Sequence, residues 1–297
     1  MYINPYQNLE NATWRKANFH THSGTGPNTC GKHSPEEVIG MYRESKYDFL
    51  CLSNHNLYRN FSNYSDEQLT LIDGVEYTSA LHMLNIGVQE SYLPDDYQTA
   101  IDKTNAVGGF TILCHPNWPE KNTFSSDKML ALKGYMGIEV MNFVCFRLRG
   151  SGRATGVWDE LLTAGVLATG FADDDFHNMA DGCNFFNLIA CEEKTYDSMK
   201  KAIDANAVCA STGIYPVYHK LEGNTLKVKA ALPIPTFLDN YVYTFVGPKG
   251  EILSEQIGSE ASYTLKGESY VRVEVRSEGG HYIMFQPVYR EGSLKRA

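Results

Sequence analysis

No run of apolar residues in this 297-residue chain approaches the roughly 20 needed to cross a bilayer. The N-terminal stretch MYINPYQNLENATWRKANF has neither the basic start nor the hydrophobic centre of a secretory leader, so the expectation is a cytoplasmic protein that stays off the membrane. There is no CxxC pair among the seven cysteines, at Cys30, Cys51, Cys114, Cys145, Cys183, Cys191 and Cys209. An odd, scattered set argues against a disulfide framework and against a structural zinc site built on thiolates. Excess positive charge is lacking too: 26 basic against 35 acidic residues leave a formal charge of -9, which excludes duplex nucleic acid as a partner drawn in by a general field. Repeats, charge blocks and low-complexity linkers are absent, as is a GxSxG nucleophile elbow.

What is present divides at about residue 212. Before it, short apolar runs alternate with amphipathic stretches: NFHTH, SPEEVIGMYRESK, YDFLCLS, GVEYTS, HMLNIGV, FTILCHP, GIEVMN and VLATGFA are representative. Such alternation predicts strands and helices in turn, hence an α/β parallel sheet or barrel over residues 1–212. Ser34, followed by Pro35 and then Glu37, marks a helix start with a capping box. Beyond it, TLKVKAAL, YVYTFVG, SYVRVEV and HYIMFQPV, separated by GPKG and SEGG, predict a small antiparallel β-sheet or β-sandwich-like module over residues 213–297. Its His219 and His281 stand alone and read as core or surface residues.

Seven of the nine histidines precede residue 178. His20 and His22 are two apart, so in a strand both imidazoles face the same way and can reach one ion. His55 follows FLCLSN, Glu76 lies in DGVEYTS, His82 opens HMLNIGV, His115 ends FTILCHP, and Asp175 and His177 follow VLATGFA. Each stands at a strand edge. In a barrel those edges surround one mouth, and histidines mixed with carboxylates there suit Zn, Mn or Fe.

These motifs resemble the PHP domains, named for polymerase and histidinol phosphatase. The resemblance runs over about residues 17–212 and is closest in NFHTHS, SPEEVIGMYRESKYDFLCLSNHN, GVEYTS with HMLNIG, LCHPN, GIEVMN and DDFH. It implies a distorted (β/α)7 barrel holding two or three divalent ions, and hydrolysis of a phosphoester, mono- or diester, by a hydroxide held on those ions. Carried over residue by residue, it implies one ion on His20, His22, Glu76 and Asp175. A second would share Glu76 with His82 and His115, and a third would rest on His55 and His177. Where the family has an SDG triplet this chain has SGTGPNTCGKHS, which puts Cys30 or Pro27 at the usual Asp, with His33 as a rival ligand. Where the family has TDH this chain has Ser53, Asn54 and His55.

Other residues leave alternatives open. His177, if not metallated, is a candidate general acid for the leaving group. Arg147, Arg149 and Arg153 follow GIEVMN and could clamp the oxygens of a small phosphorylated substrate, or could line a solvated loop. Glu139 and Asn142 belong to a family motif, with Glu139 pointing either to the mouth or into the wall. Asp173 and Asp174 are candidates for orienting the histidines. GPNTCGKH approaches a phosphate loop but ends in His33 where a Ser or Thr hydroxyl would be needed. Hydrolysis of a C–N or C–O bond on the same scaffold, or a non-catalytic binding protein, are the alternative functions.

Overall fold

The computed structural model describes the whole chain except residues 8, 10, 25, 27–28, 92–95, 119–122 and 235–239. Pro27, one of the two residues matched to the family's loop Asp, lies outside the described residues. Among those described, six α-helices accompany a sheet-rich, mixed α/β structure. None of the helices is long and apolar enough to cross a membrane.

Three parallel crossovers follow the expected strand–helix–strand pattern. Thr13–Asn18 and Phe49–Cys51 pair in parallel with the helix Pro35–Glu44 between them, and Gly137–Asn142 lies parallel to both Phe110–Leu113 and Thr169–Asp173. The first of these helices starts at the capping box read from the sequence: Ser34 Oγ accepts from the Glu37 amide, and Glu37 Oε2 accepts from the Ser34 amide at 2.8 Å.

The expected closed (β/α)7 barrel is not formed by a continuous ladder among the described residues. The strands divide into a five-stranded sheet running Gly74–Thr78, His82–Ile86, Phe110–Leu113, Gly137–Asn142 and Thr169–Asp173, and a larger sheet containing Thr13–Asn18, Phe49–Cys51 and Thr70–Ile72. Among the described residues, the β-bridges between the two sheets are the isolated ones at His55–Glu76 and Thr21–Phe176. The departure has a physical origin in strand direction and backbone turn. His82–Ile86 is antiparallel to both of its neighbours, and Phe186–Cys191 is antiparallel to Thr13–Asn18. At the rim the backbone also leaves ladder geometry, with φ of 51° at Asn56, 28° at His115 and 54° at Asp175.

The antiparallel strands predicted in the C-terminal part are present. Tyr215–Glu222, Thr225–Ala231 and Ala261–Thr264 form one small sheet, while Tyr241–Val246, Ile252–Gly258, Tyr270–Ser277 and Tyr282–Phe285 extend the large sheet through pairing of Tyr282–Phe285 with Val208–Ser211. Phe19, Phe110 and Phe171, with ring centroids 5.6–6.4 Å apart, pack the two larger sheets together.

A buried ion pair fastens the helix Thr155–Thr163 to the strand Tyr270–Ser277. Arg272 donates from Nε to Asp159 Oδ1 at 2.7 Å and from Nη2 to Asp159 Oδ2 at 2.6 Å, with its guanidinium over the Trp158 ring. Arg272 Nη1 also reaches Glu274 Oε1 at 2.5 Å, and Glu274 is shared with Arg153, so removing Asp159 leaves this network one negative charge short in the interior. Asp159→Ala is therefore expected to cost about 3–5 kcal/mol, read as a lower denaturant midpoint with the slope unchanged.

His219 lies in the core between Tyr6 and Phe285, at ring distances of 4.6 and 4.9 Å, whereas His281 is exposed at a turn. Burial holds the His219 imidazole down to about 3 against an ordinary 6.5. The unfolded chain thus takes up a proton near pH 6.5 that the folded chain refuses until about 3. The stabilisation is complete above that upper value and is lost as pH falls through the interval, by up to about 5 kcal/mol. His219→Phe should flatten the fall in thermal midpoint between pH 6 and pH 4, as followed by circular dichroism.

Candidate metal centre

All eight residues singled out as ligands come together at one rim. Thr13–Asn18 runs on into His20 and His22, both fully buried. The reversed direction of His82–Ile86 explains why His82 reaches this rim from the first residue of its strand, whereas His115 and Asp175 arrive just beyond the last residues of theirs.

Glu76 is the hub. Its Oε2 lies 3.5 Å from His20 Nε2, 3.4 Å from His22 Nε2 and 2.6 Å from His55 Nδ1. Its Oε1 lies 2.8 Å from His82 Nδ1 and 3.7 Å from His115 Nε2. Asp175 Oδ1 forms the second focus, 3.1 Å from His20 Nε2, 3.2 Å from His22 Nε2 and 3.6 Å from His177 Nδ1.

Charge at this rim is strongly coupled. Burial would raise the Glu76 carboxyl, but the neighbouring His20 and His55 hold it well below its usual range. Burial likewise opposes ionisation of Asp175, and His20, His22 and His177 overcome it. The histidines respond in the opposite sense. Burial would lower His20, yet Asp175, Glu139 and Glu76 raise it well above the usual imidazole value. His55, disfavoured by burial and favoured by Glu76 and Cys30, is pushed up to about 10. The same balance, with Cys30 and Asp175, takes His177 to about 9. These carboxylates therefore demand positive charge from whatever faces them.

The donor set suits a divalent cation better than protons alone. His20 Nε2, both ring nitrogens of His22 and His115 Nδ1 are buried and have no hydrogen-bond partner. Unsatisfied polar atoms at this density are expensive in a protein interior. The nitrogen–oxygen separations near 3.1–3.5 Å around His20 and His22 match the roughly 3.3 Å between neighbouring ligands of a tetrahedral ion with bonds of about 2.0–2.1 Å. Among the described residues, four groups each bring their ligand atoms within 4.8 Å of one another: His20, His22 and Asp175; His55, Glu76 and His82; His20, Glu76 and Cys114; and His22, Cys30, His55 and His177.

Glu139 points to this rim. Its Oε1 receives the His20 Nδ1–H at 2.7 Å, and its Oε2 accepts from the His115 amide at 2.6 Å and from Asn142 Nδ2 at 3.0 Å. A carboxylate can only accept, so the neutral His20 ring must carry its proton on Nδ1 and present a lone pair at Nε2. Asp173 and Asp174 do not orient the histidines as expected. Asp173 accepts from the Phe19 amide, and Asp174 accepts from Tyr42 Oη and the amides of Cys183, Asn184 and Phe185.

Three further residues support the rim: Thr78 and Asp181, which the sequence did not single out, and Asn54, which it showed only as a departure from the family triplet. Thr78 Oγ1 lies 2.6 Å from His55 Nδ1, and its place two residues after Glu76 on one strand was the available signal. Asn54 locks two loops together, accepting from the Ser23 amide and donating to Ser23 Oγ. Asp181 has no distinguishing sequence context, yet its buried carboxylate accepts from the amides of His177 and Asn178 and from Arg147 Nε at 2.5 Å.

The arginines separate. Arg147 is tied through Asp181 to the loop that carries His177, and Arg149 is exposed one turn-end further along the same helix, Phe143–Arg149. Arg153 turns away, pairing with Glu274 at 2.5 Å and covering the Tyr282 ring. His33 also lies outside the cluster, its Nδ1 3.8 Å from Glu37 at the helix start. Cys30 joins it instead.

No family model and no curated protein matches this chain. Among solved structures, it is similar to a two-domain protein from Bacteroides vulgatus described as containing a predicted PHP-like metal-dependent phosphoesterase, with 17% identity and a TM-score of 0.53 over 90% of this chain and 91% of that one. At that identity the likeness is one of fold alone.

Proposed function

We propose that this chain is a hydrolase that cleaves a small phosphoester at the histidine-lined rim, using two or three divalent ions drawn from Zn, Mn and Fe. The observation that carries the reading is the convergence of the buried side chains of His20, His22, His115, Glu76 and Asp175 on one rim, where His20 Nε2 and His22 Nε2 face the two carboxylates without a hydrogen-bond partner. The phosphoesterase described for the structural neighbour agrees with it. Divalent ions bound there would lower the pKa of water and neutralise phosphate oxygens.

The chain's own residues have distinct parts in this reading. His20, His22, Glu76 and Asp175 hold one ion, Glu76 extends to a second with His82 and His115, and His55 and His177 serve a third. Glu139 fixes the His20 tautomer. His177, held by Asp181 beneath its amide and by its own Nδ1 contact to the Asp175 carbonyl at 2.6 Å, is the candidate proton donor to the leaving oxygen when it is not a ligand. Arg149 binds a substrate phosphate, and Arg147 both approaches it and steadies the His177 loop through Asp181.

Elemental analysis of the purified protein, followed by phosphomonoester and phosphodiester assays, tests this directly. At least one Zn, Mn or Fe per chain and metal-dependent turnover are expected. A metal-free rim after reconstitution overturns the reading, while bound metal with hydrolysis of a C–N or carboxyl ester bond and no phosphoester turnover overturns the choice of substrate. Glu76→Gln should be the most damaging single ligand change, lowering metal affinity by at least the roughly 10–100-fold typical of a lost supporting interaction. Arg149→Ala should leave metal content intact and raise KM about 10- to 100-fold, the worth of a charged hydrogen bond.

A further inference from the structure

We propose that Cys30 supplies a thiolate ligand to the metal position served by His55 and His177, beside the His22 ring, giving this corner of the rim a preference for zinc over manganese. The inference rests on the metal-binding reading above and goes beyond it by assigning a ligand and a selectivity. Ligand atoms of these four residues lie within 4.8 Å of one another. Imidazole rings close the group from two sides: the His22 ring centroid is 4.5 Å from those of both His55 and His177. His22 is fully buried, and neither of its ring nitrogens has a hydrogen-bond partner, so the group contains an unsatisfied donor set as well as a sulfur.

Cys30 is held there by its neighbours in the chain. A Cβ on Gly31 would come within 2.6 Å of the Ser23 carbonyl carbon and 2.7 Å of the His22 carbonyl, so only glycine lets this loop lie flat against the end of the His20–His22 segment. On the far side, the Lys32 amide donates to the His177 carbonyl at 3.0 Å, and the Gly24 amide donates to the His33 carbonyl at 2.7 Å. The loop is thus fastened both to the segment bearing His22 and to the residue bearing the second imidazole. His33, the competing ligand on the same loop, is directed to Glu37 and stays outside the group.

The ligand chemistry sets the metal. One thiolate with imidazoles is a combination that zinc accepts readily, whereas manganese prefers oxygen donors. The Glu76 and Asp175 positions offer that harder environment within the same rim, so the two kinds of site would fill with different ions when both are supplied.

Cobalt(II) titration of the metal-stripped, full-length protein provides the test, because a thiolate on cobalt gives a near-ultraviolet charge-transfer band that histidine and carboxylate ligands do not. The wild type should develop this band, and zinc should displace it. Cys30→Ser should abolish the band while keeping the visible cobalt transitions, and should lower bound zinc by about one equivalent per chain. Alkylation mapped by mass spectrometry gives a second readout: zinc should protect Cys30, which is exposed, whereas Cys51, Cys114, Cys145, Cys191 and Cys209 are buried. Cys30→Asp should raise manganese uptake at the expense of zinc. Visible cobalt transitions without the near-ultraviolet band, or unchanged Cys30 alkylation with zinc bound, overturn the Cys30 assignment alone. Absence of any cobalt binding overturns the metal reading on which it stands.

Discussion

A carboxylate sealed from water has to be matched by positive charge, and Glu76 is sealed completely. Nitrogens from five histidines, arriving from four separate stretches of chain, lie within 3.7 Å of its two oxygens. Removing an isolated ion from water is costly, so this arrangement is sustainable only if the surrounding rings are protonated or share cations with it. The need reaches outward. His20 is aligned by Glu139, Glu139 is held by Asn142 and the His115 amide, and Asn142 in turn caps the helix that carries Arg147 and Arg149.

Much of this rim was legible because side-chain direction in a strand alternates. The spacing of His20 and His22, the strand-edge positions of His55, His115 and Asp175, and the family motifs all direct attention to the same place. Glu139 was not assignable, since Gly137–Asn142 is buried along its whole length and alternation between two buried faces gives no polar side to read. Arg153 presents the converse problem. It follows the same strand, GIEVMN, as Arg147, and what draws it away is Glu274, 121 residues further on.

The fold was legible to the level of element type and less so in how the elements close. Apolar runs identify strands without giving their direction, and it is direction that makes His82–Ile86 an antiparallel intruder among parallel neighbours. Closure by single bridges at His55 and Thr21, in place of a full ladder, depends on backbone turns at the rim that no periodicity records. The capping box at Ser34 and Glu37 was readable because its chemistry is complete within four residues.

Those turns carry a consequence for how the protein can change. Asp175 and His115 both adopt positive φ, at 54° and 28°, a conformation that costs a residue with a side chain about 1 kcal/mol. Glycine would occupy the same backbone more comfortably. A selection for thermal robustness alone would therefore favour glycine at these two positions, which sets the comfort of the backbone against the imidazole and carboxylate gathered at the rim.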